Sequence, residues 1–317
     1  MQDILMEINN LSYRYEDGTL ALDQVSLQIR RHERLAIMGS NGSGKSTLFL
    51  NLNGVYRPTD GQILYEGRPV DYSRKGLLEL RRQVGIVFQD PDNQLFCASV
   101  AGEISFGLYN LGLDEEEIRR RVDAVCQKLS IDPFRDKPTH FLSGGQKKRV
   151  SIADILVMRP SLLILDEPFS ALDPKHAQMI DEILSQLARE GITVVIATHN
   201  AAQAYRWADR VVILHNGRIQ AQGTPEDFLR PGPPAEDQSG AAGNSDHLPR
   251  PAAKEAVAGR NLSQNGRIPL LDAALLTNIP FRASFFFLAL VIFGHYSYNN
   301  RYKEAHPKTN QAGGMDR

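Results

Sequence analysis

The sequence predicts an α/β protein with a largely parallel central sheet and a separate antiparallel part near the N-terminus. Over residues 1–230, short runs rich in Val, Ile and Leu alternate with amphipathic segments and frequent glycines. This alternation is typical of a parallel sheet whose two faces are covered by helices. The first two runs, Leu5 to Tyr15 and Ala21 to Ile29, instead alternate apolar and polar residues, as half-buried antiparallel strands do.

The remaining core elements follow from apolar run length and helical periodicity. Four short apolar runs are bounded by glycine or polar residues, which favours buried strands. The charged segment from Asp114 to Leu129 has an apolar side formed by Leu113, Val122, Val125 and Leu129, as an amphipathic helix requires. In chain order we predict strands at 34–38, 84–88, 162–165 and 194–197, and helices at 46–52, 114–129, 143–156 and 175–190.

The composition is that of an ordinary globular protein. The chain has 317 residues, of which 42% are hydrophobic and 23% charged, and its net charge is -1. That balance gives no reason to expect nucleic-acid binding, which normally requires a basic excess. The two cysteines, Cys97 and Cys126, have neither disulfide-framework nor metal-ligand spacing, and we expect reduced structural thiols. No secretory signal is visible at the N-terminus.

The composition changes at Pro231, and this predicts the domain organisation. We assign 1–230 to one catalytic domain and 231–267, rich in Pro, Gly, Ala and polar residues, to a flexible linker. Residues 268–317 form an extension with an apolar run from Ala283 to Phe293. As a helix that run would span about 16 Å, roughly half of a bilayer core. Packing on a partner, membrane association and an appendage without function all remain open.

A glycine-rich loop between a predicted strand and a predicted helix carries the first chemical signal. It matches the pattern G-x-x-x-x-G-K-[ST], in which successive backbone N–H groups and the following helix N-terminus surround phosphates. Lys45 is expected to reach the β- and γ-phosphates, and the Ser46 hydroxyl to ligate Mg²⁺. The predicted nucleotide-binding residues of this loop are Gly39, Ser40, Asn41, Gly42, Ser43, Gly44, Lys45, Ser46 and Thr47.

An acidic pair, Asp166 and Glu167, ends the apolar strand that begins at Leu162. Asp166 is expected to hold magnesium, directly or through water. Because successive strand residues point to opposite faces, Glu167 is predicted to point to the other side, where it can act as general base on a water.

The motif from Leu142 to Gln146, about a hundred residues after the phosphate loop, has no evident role in its own subunit. A loop already surrounds the phosphates that Ser143, Gly144, Gly145 and Gln146 would need to touch. We therefore predict an ATPase whose site is completed by a second subunit.

These motifs together resemble the ATP-binding cassette family over roughly residues 5–230. The resemblance implies a P-loop NTPase fold of that type, with a parallel core sheet, an antiparallel β subdomain and a helical signature subdomain. It identifies 142–146 as the signature and implies that Gln89 senses magnesium and the γ-phosphate. Asp173 corresponds to the D-loop, His199 to the switch histidine, and Tyr15 to the aromatic that stacks on adenine, with Tyr13 as its rival.

Three longer segments narrow the resemblance to the cobalt and nickel energy-coupling-factor branch. They are 13–22, 87–96 and 142–150. Phe169, Ser170 and Ala171 depart from that branch beside the D-loop, and the chain after Pro231 has no match in it.

The branch implies ATP and Mg²⁺ as ligands and a peripheral position on the cytoplasmic face of the cell membrane. Two cassettes would meet head to tail, most simply as a homodimer and otherwise as a heterodimer. Transmembrane coupling and substrate-capture subunits would be the other partners. Cobalt is the expected substrate, with nickel or a vitamin as alternatives.

Two other classes remain open. A non-transport cassette ATPase, acting in DNA repair or on the ribosome, would usually carry a long coiled coil or two cassettes, neither of which is present here. A regulatory module without turnover would not need Glu167 and His199. We further hypothesise that Asp90 to Ser99, with Leu95 and Phe96, borders a groove for helices of a membrane subunit.

Overall fold

The structure is a computed structural model, and it describes residues 3–228. The predicted linker at 231–267 and the extension at 268–317, with its apolar run, lie outside the described residues. Within residues 3–228, no helix has the length and apolar character that crossing a membrane requires.

A six-stranded sheet forms the centre of the described chain. Its order is β10-β9-β3-β8-β7-β6, and neighbouring strands are parallel except for the antiparallel hairpin of β9 and β10. The four strands predicted for the centre are confirmed, and the hairpin adds two that the sequence analysis did not assign. The bounds are β3 Arg34–Met38, β6 Val84–Val87, β7 Leu162–Asp166, β8 Thr193–Thr198, β9 Arg210–His215 and β10 Arg218–Gly223.

A second, antiparallel sheet has the order β2-β1-β4-β5. The two predicted N-terminal strands are confirmed as an antiparallel pair, and the pairing of β1 with β4 extends the sheet. The short strands β4 and β5 were not predicted, because their turn-rich, largely exposed sequence has little apolar alternation. The bounds are β1 Ile4–Arg14, β2 Leu20–Arg30, β4 Asp60–Tyr65 and β5 Arg68–Pro69.

Three of the helices that build the site region begin at side-chain caps. The side chain of Asp114 caps α4, that of Ser143 caps α5 and that of Asp173 caps α6, each by accepting a backbone N–H. The four predicted helices are confirmed within one or two residues, and four others were not predicted. The bounds are α1 Lys45–Leu52, α2 Arg74–Gln83, α3 Val100–Asn110, α4 Glu115–Lys128, α5 Gly144–Leu156, α6 Pro174–Arg189, α7 Ala201–Trp207 and α8 Pro225–Phe228.

The parallel strands bury side chains on both faces, which explains their uninterrupted apolar sequences. On β3, Leu35 and Ile37 belong to one hydrophobic cluster, which also holds α1 and the antiparallel sheet, while Ala36 belongs to another. The second cluster contains apolar residues of α3, α4, α5 and α6. The carboxyl ends of β3 and β7 therefore lie at one edge of the sheet, beside α1, where the site is built.

Candidate active site

The phosphate loop connects β3 to α1 in a tight curl. Gly44 has a φ of 105°, and a Cβ at this position would lie 2.7 Å from the carbonyl oxygen of Ala21, so only glycine fits. The Lys45 ammonium donates to the carbonyl oxygens of Gly39 at 2.8 Å and Ser40 at 3.1 Å. These bonds hold its positive charge across the loop, where phosphate oxygens would be attracted.

A cavity of about 560 Å³ opens beside this loop. Among the predicted residues that line it, Gln89 follows β6, Asp166 ends β7 and Glu167 follows β7. Gly39, Ser40 and Ser43 belong to the loop but do not contribute to the lining. The other predicted residues in the lining are Tyr15, Asn41, Gly42, Gly44, Lys45, Ser46 and Thr47.

Ser46 and Asp166 form the part of the cavity suited to a cation. The Ser46 hydroxyl donates to the Asp166 carboxylate at 2.6 Å, although the two residues are 120 positions apart. Burial raises the pKa of Asp166, whereas the bond from Ser46 and the charges of Lys45 and Lys148 act in the opposite direction. A desolvated carboxylate, a hydroxyl and the nearby Gln89 are all oxygen ligands, which Mg²⁺ prefers, so the residues fit this ion.

Glu167 also lines the cavity, and here the prediction from strand alternation is wrong. The strand β7 ends at Asp166, and Glu167 adopts a left-handed backbone with a φ of 43°, so alternation does not extend to it. Both carboxylates consequently reach the same cavity instead of opposite sides. The Glu167 side chain is about one-tenth exposed and contacts His199 Nδ1 at 2.8 Å, which brings together two predicted catalytic residues.

Of the two candidate aromatics, the structure brings Tyr15 into the cavity. Its hydroxyl forms a 2.7 Å hydrogen bond with the hydroxyl of Thr47 in the phosphate loop. Tyr13 stacks on Tyr56 with ring centroids 4.7 Å apart and packs against a hydrophobic cluster. The geometry therefore favours Tyr15 as the residue able to contact a nucleotide base, as the sequence analysis preferred.

The sequence analysis missed a wall of the cavity that adjoins the phosphate loop. Asn216 and Gly217, with φ of 49° and 72°, form the tight turn between β9 and β10 and line the cavity. The Gly217 N–H donates to Ser43, and its carbonyl accepts from Asp23, so the turn joins the loop to β2. An Asn-Gly pair between apolar runs is a strong hairpin signal and could have revealed the turn. The other unpredicted lining residues are Thr19, Leu20 and Ala21.

Lys148 is a second residue that the sequence analysis did not single out as functional. It lies on α5 and is 1% exposed, and its ammonium donates to the carbonyl oxygens of Phe88 at 2.9 Å and Gln89 at 2.8 Å. Burial lowers the pKa of Lys148 to about 8, while the charges of Asp166 and Asp90 oppose this shift. A signal existed in the sequence, because a lysine inside an apolar helix face needs buried partners.

The signature residues lie at the start of α5. The Ser143 hydroxyl accepts from Gln146 N, and the Gln146 side chain accepts from Ser143 N at 2.9 Å, which completes a capping box. A Cβ on Gly144 would meet nothing within 4 Å, so the backbone there is open to an approaching group. Within residues 3–228, Ser143, Gly144, Gly145 and Gln146 do not line the cavity.

Asp173, the predicted D-loop residue, caps the start of α6 and is also absent from the cavity lining within the described chain. Its carboxylate accepts from His176 N at 3.0 Å and contacts His176 Nδ1 at 2.6 Å. A Cβ on Gly145 would lie 2.3 Å from the His176 ring, so glycine is required for this close approach. The beginnings of α5 and α6 are thus packed together through one imidazole.

In the segment from Asp90 to Ser99, the side chains of Leu95 and Phe96 lie in different environments. Leu95 packs against a hydrophobic cluster, whereas Phe96 is 46% exposed and meets Phe106 edge to face at 4.8 Å. Phe96 is therefore the apolar side chain of this segment that is available to a partner, and Leu95 is structural.

Comparison with known proteins identifies the class. A family model described as ABC transporter matches residues 22–170. The chain is 50% identical over 230 residues to an energy-coupling factor transporter ATP-binding protein from Clostridium perfringens, covering 72% of this chain and 81% of that protein. It is 43% identical over 225 residues to such a protein from Methanocaldococcus jannaschii, covering 71% and 81%.

Solved structures agree with the sequence comparison. CbiO1 from Clostridium perfringens, described as part of the ABC transporter complex CbiONQ, matches with a TM-score of 0.67 at 49% identity, covering 71% of this chain and 90% of that one. A dimeric ATP-binding cassette bound to ADP and Pi matches with a TM-score of 0.63 at 28% identity, covering 72% and 100%. The chain belongs to the ABC transporter family, as an ATPase, and its close relatives are energy-coupling factor transporter ATP-binding proteins.

Proposed function

We propose that this chain is the ATP-hydrolysing subunit of an importer and that a second cassette completes each of its sites. One observation carries the second part of the proposal. The phosphate loop, Gln89, Asp166 and Glu167 share a cavity, while Ser143 to Gln146 form an open helix start that does not line it. A helix N-terminus with exposed glycine backbone favours anions, and here it has no phosphate site within its own described chain.

Within the cavity, each residue has a role that follows from its chemistry. Ser46, Gln89 and Asp166 would hold Mg²⁺, which would neutralise phosphate charge. Lys45 and the loop N–H groups bind the phosphates, and the ring of Tyr15 stacks on the adenine. Glu167 accepts the proton of the attacking water, and His199 orients Glu167 through the 2.8 Å contact.

The assembly we propose is a head-to-tail homodimer. Ser143, Gly144 and Gly145 of one subunit face the γ-phosphate bound at Lys45 of the other, and Asp173 lies beside this contact. ATP then stabilises the closed dimer, and hydrolysis removes the γ-phosphate contacts, so the difference in affinity drives opening. The similarity to a cassette solved as a dimer supports this arrangement.

Transport requires membrane partners, and we place the chain at the cytoplasmic face of the membrane with transmembrane coupling and substrate-capture subunits. Phe96 is the proposed apolar contact for a helix of the coupling subunit, since it is exposed on the segment that follows Gln89. The proposed substrate is cobalt. That choice rests on the sequence of 13–22, 87–96 and 142–150, and nickel or a vitamin is the alternative.

The ATPase proposal is tested by comparing wild type with Glu167→Gln, which preserves size and removes the base. Loss of a general base should lower kcat by about 10²- to 10⁴-fold. ATP binding should remain, and size-exclusion chromatography should show ATP-dependent dimers. Equal ATPase rates would exclude the proposed chemistry, and a variant that stays monomeric with ATP would exclude the proposed assembly.

The transport proposal is tested by co-purification from membranes with wild type, Phe96→Asp and the control Leu78→Asp. Leu78 is 40% exposed on α2 and therefore matches Phe96 in character but not in position. Phe96→Asp should lose the transmembrane partners while binding ATP, and Leu78→Asp should retain them. Uptake of ⁵⁷Co²⁺ by the purified complex in vesicles, competed by Ni²⁺, then decides the cargo, and absence of Co²⁺ uptake would reject cobalt.

A further inference from the structure

The loop after β6 is attached to helix α5 by three sets of side-chain contacts. Lys147 pairs with Asp92 at 2.5 Å, and Lys148 donates to the backbone at Phe88 and Gln89. Gln94 accepts from Phe88 N at 3.3 Å and donates to the carbonyl of Ser151 on α5 at 2.9 Å. The loop that carries Gln89 is thus fastened to the helix that begins with the signature.

The contact made by Lys148 differs from the other two in how deeply it is buried and in the groups that accept its hydrogen bonds. Lys147 pairs with a largely exposed aspartate, a type of ion pair that contributes little. Lys148 is almost fully buried, and its two acceptors are the consecutive carbonyls that fix the backbone of Gln89 itself. Charge-assisted bonds to buried carbonyls are among the stronger hydrogen bonds, so this contact restrains the backbone at Gln89.

We propose that Lys148 is a positioning residue that holds Gln89 in the catalytic cavity and couples that glutamine to the signature helix of the same chain. The inference rests on the proposed function, because it assigns Gln89 a role in hydrolysis. Any displacement of α5, such as one caused by a partner at its N-terminus, is then transmitted to Gln89 through the Lys148 ammonium. The same side chain links the dimer-facing motif to the catalytic cavity.

Replacing Lys148 by Met keeps the length of the apolar stem and removes both donors. The carbonyls of Phe88 and Gln89 then lose the Lys148 ammonium as a donor. Because two charge-assisted bonds no longer hold Gln89 in position, we expect kcat to fall by about 10- to 100-fold. ATP affinity should change by less than about threefold, because Lys45 and the loop N–H groups, which bind the phosphates, are not altered.

The decisive experiment is a double-mutant cycle of Lys148→Met and Gln89→Ala, measured as kcat of the full chain at saturating Mg²⁺ and ATP. If Lys148 acts through Gln89, Lys148→Met should lower kcat strongly in wild type and by less than about twofold in the Gln89→Ala background. Equal fold-losses in both backgrounds would overturn the inference. Wild-type ATPase that does not depend on Glu167 would instead reject the proposed function, so the two failures are distinguishable.

Arg149 supplies the matched control, because it is a buried cation on the same helix that donates to carbonyls of a different loop. Its guanidinium reaches the carbonyl oxygens of Ser130 at 2.8 Å and Leu129 at 3.2 Å. Arg149→Met should change kcat by the same factor whether Gln89 is present or replaced by Ala. If Lys148→Met does not yield folded protein by thermal unfolding, Lys148→Gln, which keeps a shorter donor, is used in the same cycle. Additivity in that cycle equally overturns the inference.

Discussion

One of the contacts that attach the antiparallel sheet to the central sheet is a buried ion pair. Arg210, on β9, donates to both carboxylate oxygens of Glu33 at 3.1 and 2.8 Å and to the carbonyl of Gln28 on β2. The two charged side chains are only 12% and 8% exposed. The strand β2, whose Gln28 carbonyl accepts from Arg210, also contributes Leu20 and Ala21 at its other end to the cavity lining.

Arg210→Met should destabilise the protein by about 3–5 kcal/mol, because it leaves a buried carboxylate uncompensated. After the change, the Glu33 carboxylate keeps the Arg30 N–H as its donor within the described chain. Adding Glu33→Leu to Arg210→Met should restore a substantial part of the loss, because the isolated buried charge is then removed as well.

The assay is urea denaturation followed by fluorescence of Trp207, the single tryptophan of the chain, which is 2% exposed. Arg218→Met is the matched control, since Arg218 donates two hydrogen bonds to one carboxylate oxygen of Asp23 but is 61% exposed. That pair should contribute at most about 1 kcal/mol. If Arg210→Met costs no more than Arg218→Met, the reasoning from burial is refuted.

Three further predictions concern the cavity and the buried ionisable groups. Tyr15→Ala should weaken ATP binding by up to about tenfold, because the stacking ring is lost. Tyr13→Phe should leave the affinity for ATP within about twofold of wild type. Titration with a fluorescent nucleotide measures both affinities. Burial raises the pKa of the Cys97 thiol and raises the pKa of the Cys126 thiol to about 11. At pH 8 both thiols of the native protein should therefore react slowly with a disulfide reagent, and those of the unfolded protein should react quickly. A fast reaction of the native protein would contradict this. Burial also raises the pKa of Glu103, so the protonated side chain stabilises the fold at low pH, and this contribution is lost as the pH rises through the folded-state pKa. In urea denaturation at pH 5 and pH 8, Glu103→Gln should therefore gain stability relative to wild type at the higher pH. The opposite trend would refute the assignment.

Local sequence features predicted much of the fold and one half of the site. The pattern from Gly39 to Ser46 is readable because adjacent residues supply the turn, the helix start and the phosphate ligands. Uninterrupted apolar runs predicted the central parallel strands because both faces of those strands are buried. The strands β4, β5 and β10 were not assigned, because exposed short strands leave only a weak periodic signal. The strand β9 is largely buried and carries an apolar run, and it was missed together with the Asn-Gly turn that follows it.

The sequence by itself determined the class of chemistry, because the phosphate loop, the acidic pair and the signature are each short and contiguous. Only the tertiary structure decided which residues meet. It brought Glu167 to the same cavity as Asp166, which strand alternation did not predict, because the backbone adopts a left-handed conformation after β7. It also brought Lys148 to Gln89 and the Asn216 turn to the phosphate loop. Contacts between residues 59 or more positions apart depend on how strands and helices pack, and no local pattern encodes that packing.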